Sequence, residues 1–76
     1  MITAKEITAQ LNNPTEADRR LIDKAYDYTK EAHKDQKRKS GEPYATHLFF
    51  VGLHLAKMGM GPNTIAAGLL HDTIED

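Results

Sequence analysis

Apolar residues along the chain recur at the three- and four-residue spacing of a helix, and no stretch alternates as a half-buried strand does. The clearest stripe lies in the first half of the chain and consists of Leu21, Ile22, Ala25, Tyr28 and Ala32. This stripe predicts an amphipathic helix whose apolar face lies against the core of a small protein.

Two capping signals predict where the first helices begin. Thr3 and Glu6, and again Thr15 and Asp18, have the spacing of a capping box, in which a hydroxyl and a carboxylate satisfy backbone N–H groups. Pro14 and the two asparagines before it interrupt the pattern between these helices. We therefore expect two separate helices in the first half of the chain.

The second half of the chain is more apolar than the first. A third helix is predicted to start near Tyr44 and to stop at Gly59, and apolar side chains cover most of its circumference. A helix of that kind is usually buried. Pro62 suits the first turn of a fourth helix, whose apolar positions are Ile65, Ala66, Leu69, Leu70 and Ile74.

These signals together predict an all-α protein, a helical bundle that forms one domain over residues 1–76. Residues 34–43 are polar, lack periodicity and close with glycine and proline, so we expect a loop there. The predicted helices span about 3–11, 15–33, 44–58 and 62–76.

Composition narrows the classes of function. The net charge of −1 lacks the basic excess of a general nucleic-acid binder. No apolar run approaches the roughly 20 residues of a membrane span, and the first residues do not resemble a secretory signal. With no cysteine, neither a disulfide nor a thiolate metal site can support the small core. We expect a cytoplasmic protein that binds neither nucleic acid nor membrane.

The most distinctive chemistry stands near the end of the sequence. His71 and Asp72 are followed one turn later by Glu75 and Asp76, and residues four apart share one face of a helix. An imidazole and a carboxylate on this helix can hold a divalent cation if another element completes the shell. His47, near the start of the third helix, is the candidate for that further ligand.

Ligands of this kind suit Mn²⁺, Fe²⁺ or Zn²⁺, and such an ion turns bound water into a nucleophile near neutral pH. Glu75 and Asp76 could orient that water or move its proton. Each feature also has an ordinary interpretation: a solvated polar pair at residues 71–72, a capping or core histidine at His47, and surface charge at residues 75–76. The metal hypothesis depends on their occurring together.

The polar loop carries a second signal, a cluster of cations. Lys34, Lys37, Arg38 and Lys39 precede Ser40 within a few positions. Arginine and lysine side chains can bind phosphate groups, and arginine can also stack on a base. The alternative is a solvated charged loop without a ligand.

Three other ring side chains flank these groups. Tyr44 could stack on a ligand or begin the third helix as a core residue. His33 is interpreted as a histidine that ends the second helix, where a protonated ring is favourable. His54 lies two turns from His47, too far to share one ion, and is interpreted as structural.

Two blocks of the sequence share their order and separation with a known family. The first contains Ala32-His33, Gln36, the run Arg38-Lys39-Ser40-Gly41-Glu42-Pro43-Tyr44 and then His47, and the second runs from Ala66 to Asp76. Together they resemble the HD-type hydrolase domain of the RelA/SpoT family, whose members make and degrade the alarmone (p)ppGpp. The resemblance covers roughly residues 20–76.

This resemblance implies a reaction and a role for each candidate residue. The reaction is hydrolysis of the 3′-diphosphate of (p)ppGpp to GDP or GTP and pyrophosphate. His47, His71 and Asp72 would be three of four protein ligands to Mn²⁺, and Glu75 and Asp76 would be the catalytic acidic pair. The guanine nucleotide would be bound by Arg38, Lys39 and Ser40.

The fourth ligand of the family is an aspartate well downstream of these blocks, so the resemblance implies an N-terminal fragment of a hydrolase domain, weak or inactive alone. Two alternatives stay open. One is a non-catalytic, nucleotide- or protein-binding remnant of a RelA/SpoT protein. The other is a structural helical piece that forms homo-oligomers through exposed apolar faces of its third and fourth helices.

Overall fold

Four helices make up the fold, and the all-α prediction is confirmed. The computed structural model describes the backbone of residues 2–75 and the side chains of residues 2–71. The helices are α1 (Ala4–Thr8), α2 (Glu16–Ala32), α3 (Tyr44–Lys57) and α4 (Pro62–Glu75). Within the described backbone, extended pairing is limited to one antiparallel bridge, between Lys37 and Pro43.

Both predicted capping boxes form. The N–H of Glu6 donates to the Thr3 hydroxyl at 3.1 Å, and the N–H of Thr3 donates to the Glu6 carboxylate at 3.4 Å. The two equivalent bonds between Thr15 and Asp18 measure 3.0 Å each. Such caps satisfy N–H groups that have no partner inside the helix, which is why the helices start at these threonines.

The first helix is shorter than the predicted 3–11 because it ends at Thr8. The chain then continues as a turn in which the N–H of Leu11 donates to the carbonyl of Thr8 at 3.0 Å. Asn13 adopts a φ of 53°, a left-handed conformation that asparagine tolerates better than most residues. The turn after Thr8 and the left-handed conformation of Asn13 redirect the chain toward α2.

The buried face of α2 is rotated from the predicted stripe, and the prediction for Tyr28 is wrong because this residue is 62% exposed. Tyr26 and Thr29 are buried instead. The Tyr26 hydroxyl donates to the carbonyl of Ile2 at 2.6 Å, and the Thr29 hydroxyl donates to the carbonyl of Leu69 at 2.9 Å. These bonds offset the cost of burying the two hydroxyl groups. The buried face of α2 with its cap consists of Ile22, Ala25, Tyr26, Thr29 and His33.

The core lies between α1, α2, α3 and α4. The rings of Tyr26 and Phe49 stack there, with centroids 4.0 Å apart and planes inclined by 15°. The largest fully buried apolar side chains come from all four helices and are Phe49, Ile7, Ile22, Leu48, Ile65 and Leu69.

The third helix ends at Lys57, and Gly59 follows it as the predicted stop. Gly59 has a φ of 84°, and the N–H groups of Gly59 and Met60 donate to the carbonyls of Ala56 and Leu55 at 3.1 Å each. These two bonds form a Schellman motif, which needs a residue that accepts positive φ. The short connection to Pro62 then makes α3 and α4 antiparallel neighbours.

Two glycines let α3 and α4 approach closely. Gly52 lies against the side chain of Leu69, and Gly68 lies against Leu55 and Val51. In this antiparallel register, residues nearer the start of α3 face residues nearer the end of α4. The first turn of α3 and the last turns of α4 therefore share one end of the molecule.

The third helix is not buried all round, contrary to the expectation from its apolar circumference. Phe50 is 58% exposed. With Val51, Leu55 and the exposed His54 it forms what we call the outward face of α3, which borders an open hollow of about 370 Å³ together with His47. No described helix combines the length and apolar character that crossing a bilayer requires.

Candidate active site

The predicted loop contains a small hairpin, called here the basic hairpin and spanning residues 36–44. The N–H of Arg38 donates to the carbonyl of Glu42 at 2.8 Å, and the N–H of Gly41 donates to the carbonyl of Arg38 at 2.9 Å. Gly41 has a φ of 92°, so the turn ends in a left-handed glycine, a common form of three-residue hairpin. The cationic residues of this segment therefore belong to a hydrogen-bonded hairpin and not to an irregular loop.

The four predicted substrate-binding residues line one hollow. Arg38, Lys39, Ser40 and Tyr44 border a space of about 520 Å³, together with Gln36 and Lys37. Lys34 pairs instead with Glu31 at 3.0 Å, on exposed surface. In the described part of the chain, the three hairpin cations (residues 37–39) form no ion pair with a carboxylate. Their charge is therefore available to an anionic ligand.

Arg38 joins the hairpin to the first predicted metal ligand. Its Nη1 lies 3.2 Å from Nδ1 of His47, a half-buried residue in the first turn of α3. Because a guanidinium only donates hydrogen bonds, Nδ1 of His47 must accept, and the ring carries its proton on Nε2. The predicted nucleotide-binding group and the predicted metal ligand are thus in direct contact.

His71 is held in the opposite tautomer. Its Nδ1 lies 2.5 Å from the carbonyl oxygen of Gly68, one turn earlier in α4. A carbonyl oxygen only accepts, so Nδ1–H donates and the lone pair of the neutral ring is on Nε2. Metal-ligating histidines commonly donate one ring N–H to a carbonyl in this way, which orients the other nitrogen toward the metal.

The register of α3 and α4 brings the two histidines to the same end of the helix pair. Gly52 is level with Leu69, so the turn of α3 that begins at His47 is level with the turn of α4 that follows His71. The register thus places at one end the two helix segments that the metal hypothesis would join.

The remaining predicted residues lie where the structure describes less. Asp72 and Glu75 belong to α4, but their side chains lie outside the described residues, and Asp76 lies outside them altogether. Among the side chains of residues 2–71, no three histidine, aspartate or glutamate groups converge as a metal site would require.

The donor types fit a divalent ion, with one condition. The Nδ1–H of His71 is used in the bond to Gly68, so Nε2, one of the two ring nitrogens through which histidine ligates metals, is the nitrogen that would bind an ion. His47 can ligate only after Arg38 releases Nδ1, because the present contact leaves the proton on Nε2. Arg38 and a metal therefore compete for the same imidazole.

His33, which the site prediction did not include, contacts the start of the basic hairpin. His33 was interpreted as a helix-terminal histidine, yet it is only 3% exposed, whereas His54 is exposed on the outward face of α3. Nδ1 of His33 lies 2.6 Å from Oε1 of Gln36. The spacing of His33 and Gln36, one turn apart in the first sequence block, was the available signal.

Tyr44 stands at the start of α3, as predicted, and its stacking on a ligand stays a prediction. It begins α3 and is half-buried, and it also borders the hollow of the hairpin. Its ring centroid lies 5.2 Å from that of His33 and 6.1 Å from that of His47. The three rings form a continuous row from the end of α2 to the first turn of α3.

Comparison with known proteins assigns the family. The model of the HD domain matches residues 25–76, which includes the basic hairpin, α3 and α4. The chain belongs to the HD-domain family. The match covers both histidines placed at the shared end of the helix pair and the basic hairpin beside them.

The relatives of this HD domain include enzymes of alarmone metabolism. A guanosine-3′,5′-bis(diphosphate) 3′-pyrophosphohydrolase of Aquifex aeolicus is 56% identical over 55 residues, or 72% of this chain. A GTP pyrophosphokinase of Streptomyces coelicolor is 54% identical over 57 residues, or 75% of this chain. A bifunctional (p)ppGpp synthase/hydrolase RelA of Mycobacterium tuberculosis is 45% identical over 60 residues, or 79% of this chain.

These relatives confirm the resemblance to the RelA/SpoT hydrolase domain. The HD domain described here matches only 8%, 7% and 8% of their respective lengths. Their names also differ in the direction of the reaction, from hydrolysis to synthesis. The activity of this chain is therefore a matter for proposal.

Proposed function

We propose that this HD domain takes part in the hydrolysis of the 3′-diphosphate of (p)ppGpp to GDP or GTP and pyrophosphate. The observation that carries the proposal is the contact between Arg38 and His47, 3.2 Å apart. It unites the cationic hairpin and a histidine of the helix pair in one site. Two relatives are named as hydrolases of this nucleotide. Because the substrate would be a guanine nucleotide, we also infer a cytoplasmic location.

The basic hairpin would bind the substrate. Its three cations face no carboxylate among the described residues, and each charge-assisted hydrogen bond to phosphate contributes about 1.5–3 kcal/mol. A bound nucleotide would draw Arg38 away from Nδ1 of His47. The ring could then carry its proton on Nδ1 and present Nε2, which is the state that His71 already has.

HD-domain hydrolases are metal-dependent, and the ion we propose is Mn²⁺. His47, His71 and Asp72 would hold it, and the ion would supply an activated water for attack on phosphorus. Glu75 and Asp76 would hold or move the proton of that water. Lys39 and Ser40, at the tip of the hairpin, would hold the phosphate groups in place.

A second function is favoured by a specific observation. In the described structure Arg38 occupies one nitrogen of His47, the ring that the catalytic proposal needs as a metal ligand. This contact suits a non-catalytic domain that binds a nucleotide or a protein without turning it over. Release of pyrophosphate distinguishes the two functions, because only the hydrolase produces it.

The test combines two measurements on the complete chain with ppGpp and Mn²⁺. Calorimetry gives the dissociation constant, and a long single-turnover incubation detects slow release of pyrophosphate. We expect the wild type to bind ppGpp and to release pyrophosphate only slowly, in keeping with the weak activity expected of this chain alone. Arg38→Ala should weaken binding about 10-fold to 100-fold, since one charge-assisted bond is lost. His71→Ala should still bind the nucleotide but release no pyrophosphate.

Lys24→Ala is the matched control, because Lys24 is an exposed cation on α2, away from the hairpin. It should bind and hydrolyse ppGpp as the wild type does. Binding by the wild type without pyrophosphate would favour the non-catalytic function. Failure to bind ppGpp at all would contradict both nucleotide hypotheses.

A further inference from the structure

The structure assigns a positioning function to His33: this buried imidazole fixes the basic hairpin in the conformation that binds the nucleotide. The inference rests on the proposed function for its ligand, but its structural part is independent of it. His33 touches neither the hollow nor the helix-pair histidines in the described contacts. It would act through Gln36 and Tyr44, the two residues at which the hairpin starts and ends.

His33 itself is firmly held. It caps the end of α2, where its N–H donates to the carbonyl of Thr29 at 3.1 Å, and only 3% of its surface is exposed. The hydroxyl of the same Thr29 donates to the carbonyl of Leu69 in α4. His33 is thereby linked through Thr29 to α4, the helix that carries His71.

The first leg of the hairpin is tied to His33 twice. The N–H of Gln36 donates to the carbonyl of His33 at 3.0 Å, and Nδ1 of His33 lies 2.6 Å from Oε1 of Gln36. Since an amide oxygen accepts, the imidazole donates from Nδ1. A short hydrogen bond inside a partly buried site has little freedom of direction, so it fixes the side chain of Gln36.

The second leg is tied to the same place. The N–H of Tyr44 donates to the carbonyl of Gln36 at 2.9 Å, and the ring of Tyr44 lies against that of His33 at 5.2 Å between centroids. Both legs of the hairpin therefore meet at one imidazole. Between them, the turn presents Arg38, Lys39 and Ser40 to the hollow.

An apolar ring would fill the volume of His33 but could not set this geometry. The Nδ1–H donor ties the imidazole to the hairpin, because its acceptor is the side chain of Gln36. Without it, we expect the hairpin to sample conformations in which its cations no longer converge, which weakens binding of an anion.

The test uses three variants of the complete chain. His33→Phe keeps a ring beside Tyr44 but removes the donor, Gln36→Ala removes the acceptor, and the third variant combines both changes. The matched control is His54→Ala, at an exposed histidine of α3. Two readouts are taken: the dissociation constant for ppGpp, and amide hydrogen exchange at Arg38 and Tyr44, whose N–H groups close the hairpin.

We expect His33→Phe and Gln36→Ala each to weaken ppGpp binding about 5-fold to 10-fold, the effect of one lost hydrogen bond. Exchange at the two hairpin amides should accelerate by a similar factor, while amides within α2 and α4 keep their protection. The double variant should bind ppGpp no more weakly than His33→Phe alone, because His33→Phe has already removed the bond that Gln36→Ala breaks. His54→Ala should match the wild type in both readouts.

Unchanged exchange at Arg38 and Tyr44 in both single variants would overturn the inference. So would additive losses in the double variant. If the wild type fails to bind ppGpp, the proposed function is wrong, and the exchange data alone decide whether His33 positions the hairpin. Should His33→Phe fail to fold, Gln36→Ala decides the same question, because Gln36 is exposed and its loss leaves the core intact.

Discussion

Tyr26 shows how one residue connects burial with electrostatics. Burial raises the pKa of its hydroxyl above the usual 10.0, and the carboxylates of Asp27 and Glu6 raise it further. The protonated hydroxyl donates to the carbonyl of Ile2 at 2.6 Å. A phenolate could not make this bond, so the link between the N-terminal segment and α2 depends on the proton.

This proton predicts an alkaline loss of stability. The folded state holds it more tightly than the unfolded chain does, so the contribution of Tyr26 is complete below pH 10 and is lost as the pH rises through the raised pKa. Tyr26→Phe should lower the free energy of unfolding at neutral pH by about 1 kcal/mol. It should also show a smaller decline than the wild type above pH 10.

The measurement is urea unfolding of both proteins on either side of pH 10. Tyr28→Phe is the control, because Tyr28 is 62% exposed and should behave as the wild type does. Parallel declines of the wild type and Tyr26→Phe would show that Tyr26 does not couple its proton to folding.

Residue-scale features were predictable where the signal was local. The capping pairs at Thr3 and Thr15 involve partners three residues away, so sequence alone identified them. The burial of Tyr26 and Thr29 could not be predicted, because their hydrogen-bond partners, Ile2 and Leu69, lie 24 and 40 residues away along the chain. A polar residue on a core face can be recognised only when its distant acceptor is known.

At the scale of elements, the contact between α3 and α4 depends on two glycines that differ in what surrounds them. A Cβ at Gly52 would stand 2.8 Å from Cδ2 of Leu69, which is fully buried. A Cβ at Gly68 would stand 2.6 Å from Cδ1 of Leu55, which is only half-buried. Leu55 can rotate toward solvent, whereas Leu69 would have to disturb the core.

The two alanine variants should therefore differ in stability. Overpacking a core costs about 1–3 kcal/mol, while exchanging glycine for alanine in a helix gains up to about 1 kcal/mol. We expect Gly52→Ala to be less stable than Gly68→Ala by at least about 1 kcal/mol, and Gly68→Ala to equal or exceed the wild type. Urea unfolding measures both, and the reverse order would contradict the close approach at Gly52.

The basic hairpin marks the limit of element prediction from sequence. Its residues show no periodicity, so a loop was expected over 34–43, although Gly41 adopts the positive φ that closes a hairpin turn. The hairpin could not be predicted because it depends on tertiary contacts. Its two legs are held together by Gln36 and Tyr44 and by a histidine of the preceding helix, and of these contacts only the spacing of His33 and Gln36 is visible in the sequence.

At the scale of the molecule, the outward face of α3 is an apolar surface that the fold leaves open. Phe50 is 58% exposed beside Val51 and Leu55. The proposal of a homo-oligomer predicts that the chain self-associates through this face, since exposed apolar patches favour association. Phe50→Glu should shift the population toward monomer, as measured by sedimentation equilibrium.

Tyr28→Glu provides the comparison for that experiment, because Tyr28 is an equally exposed aromatic residue on α2. It should leave the association constant unchanged. A wild type that stays monomeric at high concentration would contradict self-association, and equal effects of both variants would place the contact elsewhere.

The site as a whole could be predicted only as a set of residue types. Sequence spacing proposed His47 and His71, but their placement at one end of the helix pair depends on the antiparallel register of α3 and α4, which the glycine contacts reveal. The contact of Arg38 with His47 could not be foreseen, because it needs the folded hairpin. The roles of Asp72, Glu75 and Asp76 stay predictions.

The most direct test of the central claim, that His47 and His71 bind one divalent ion, is nitrogen NMR of the four histidine side chains during addition of Zn²⁺, a diamagnetic substitute for Mn²⁺. Before metal is added, His47 should carry its proton on Nε2 and His71 on Nδ1. With Zn²⁺, ring nitrogens of both should shift together, and His47 should change tautomer, while His33 and His54 keep their signals. Shifts at His54, or responses of His47 and His71 at different Zn²⁺ concentrations, would contradict the account.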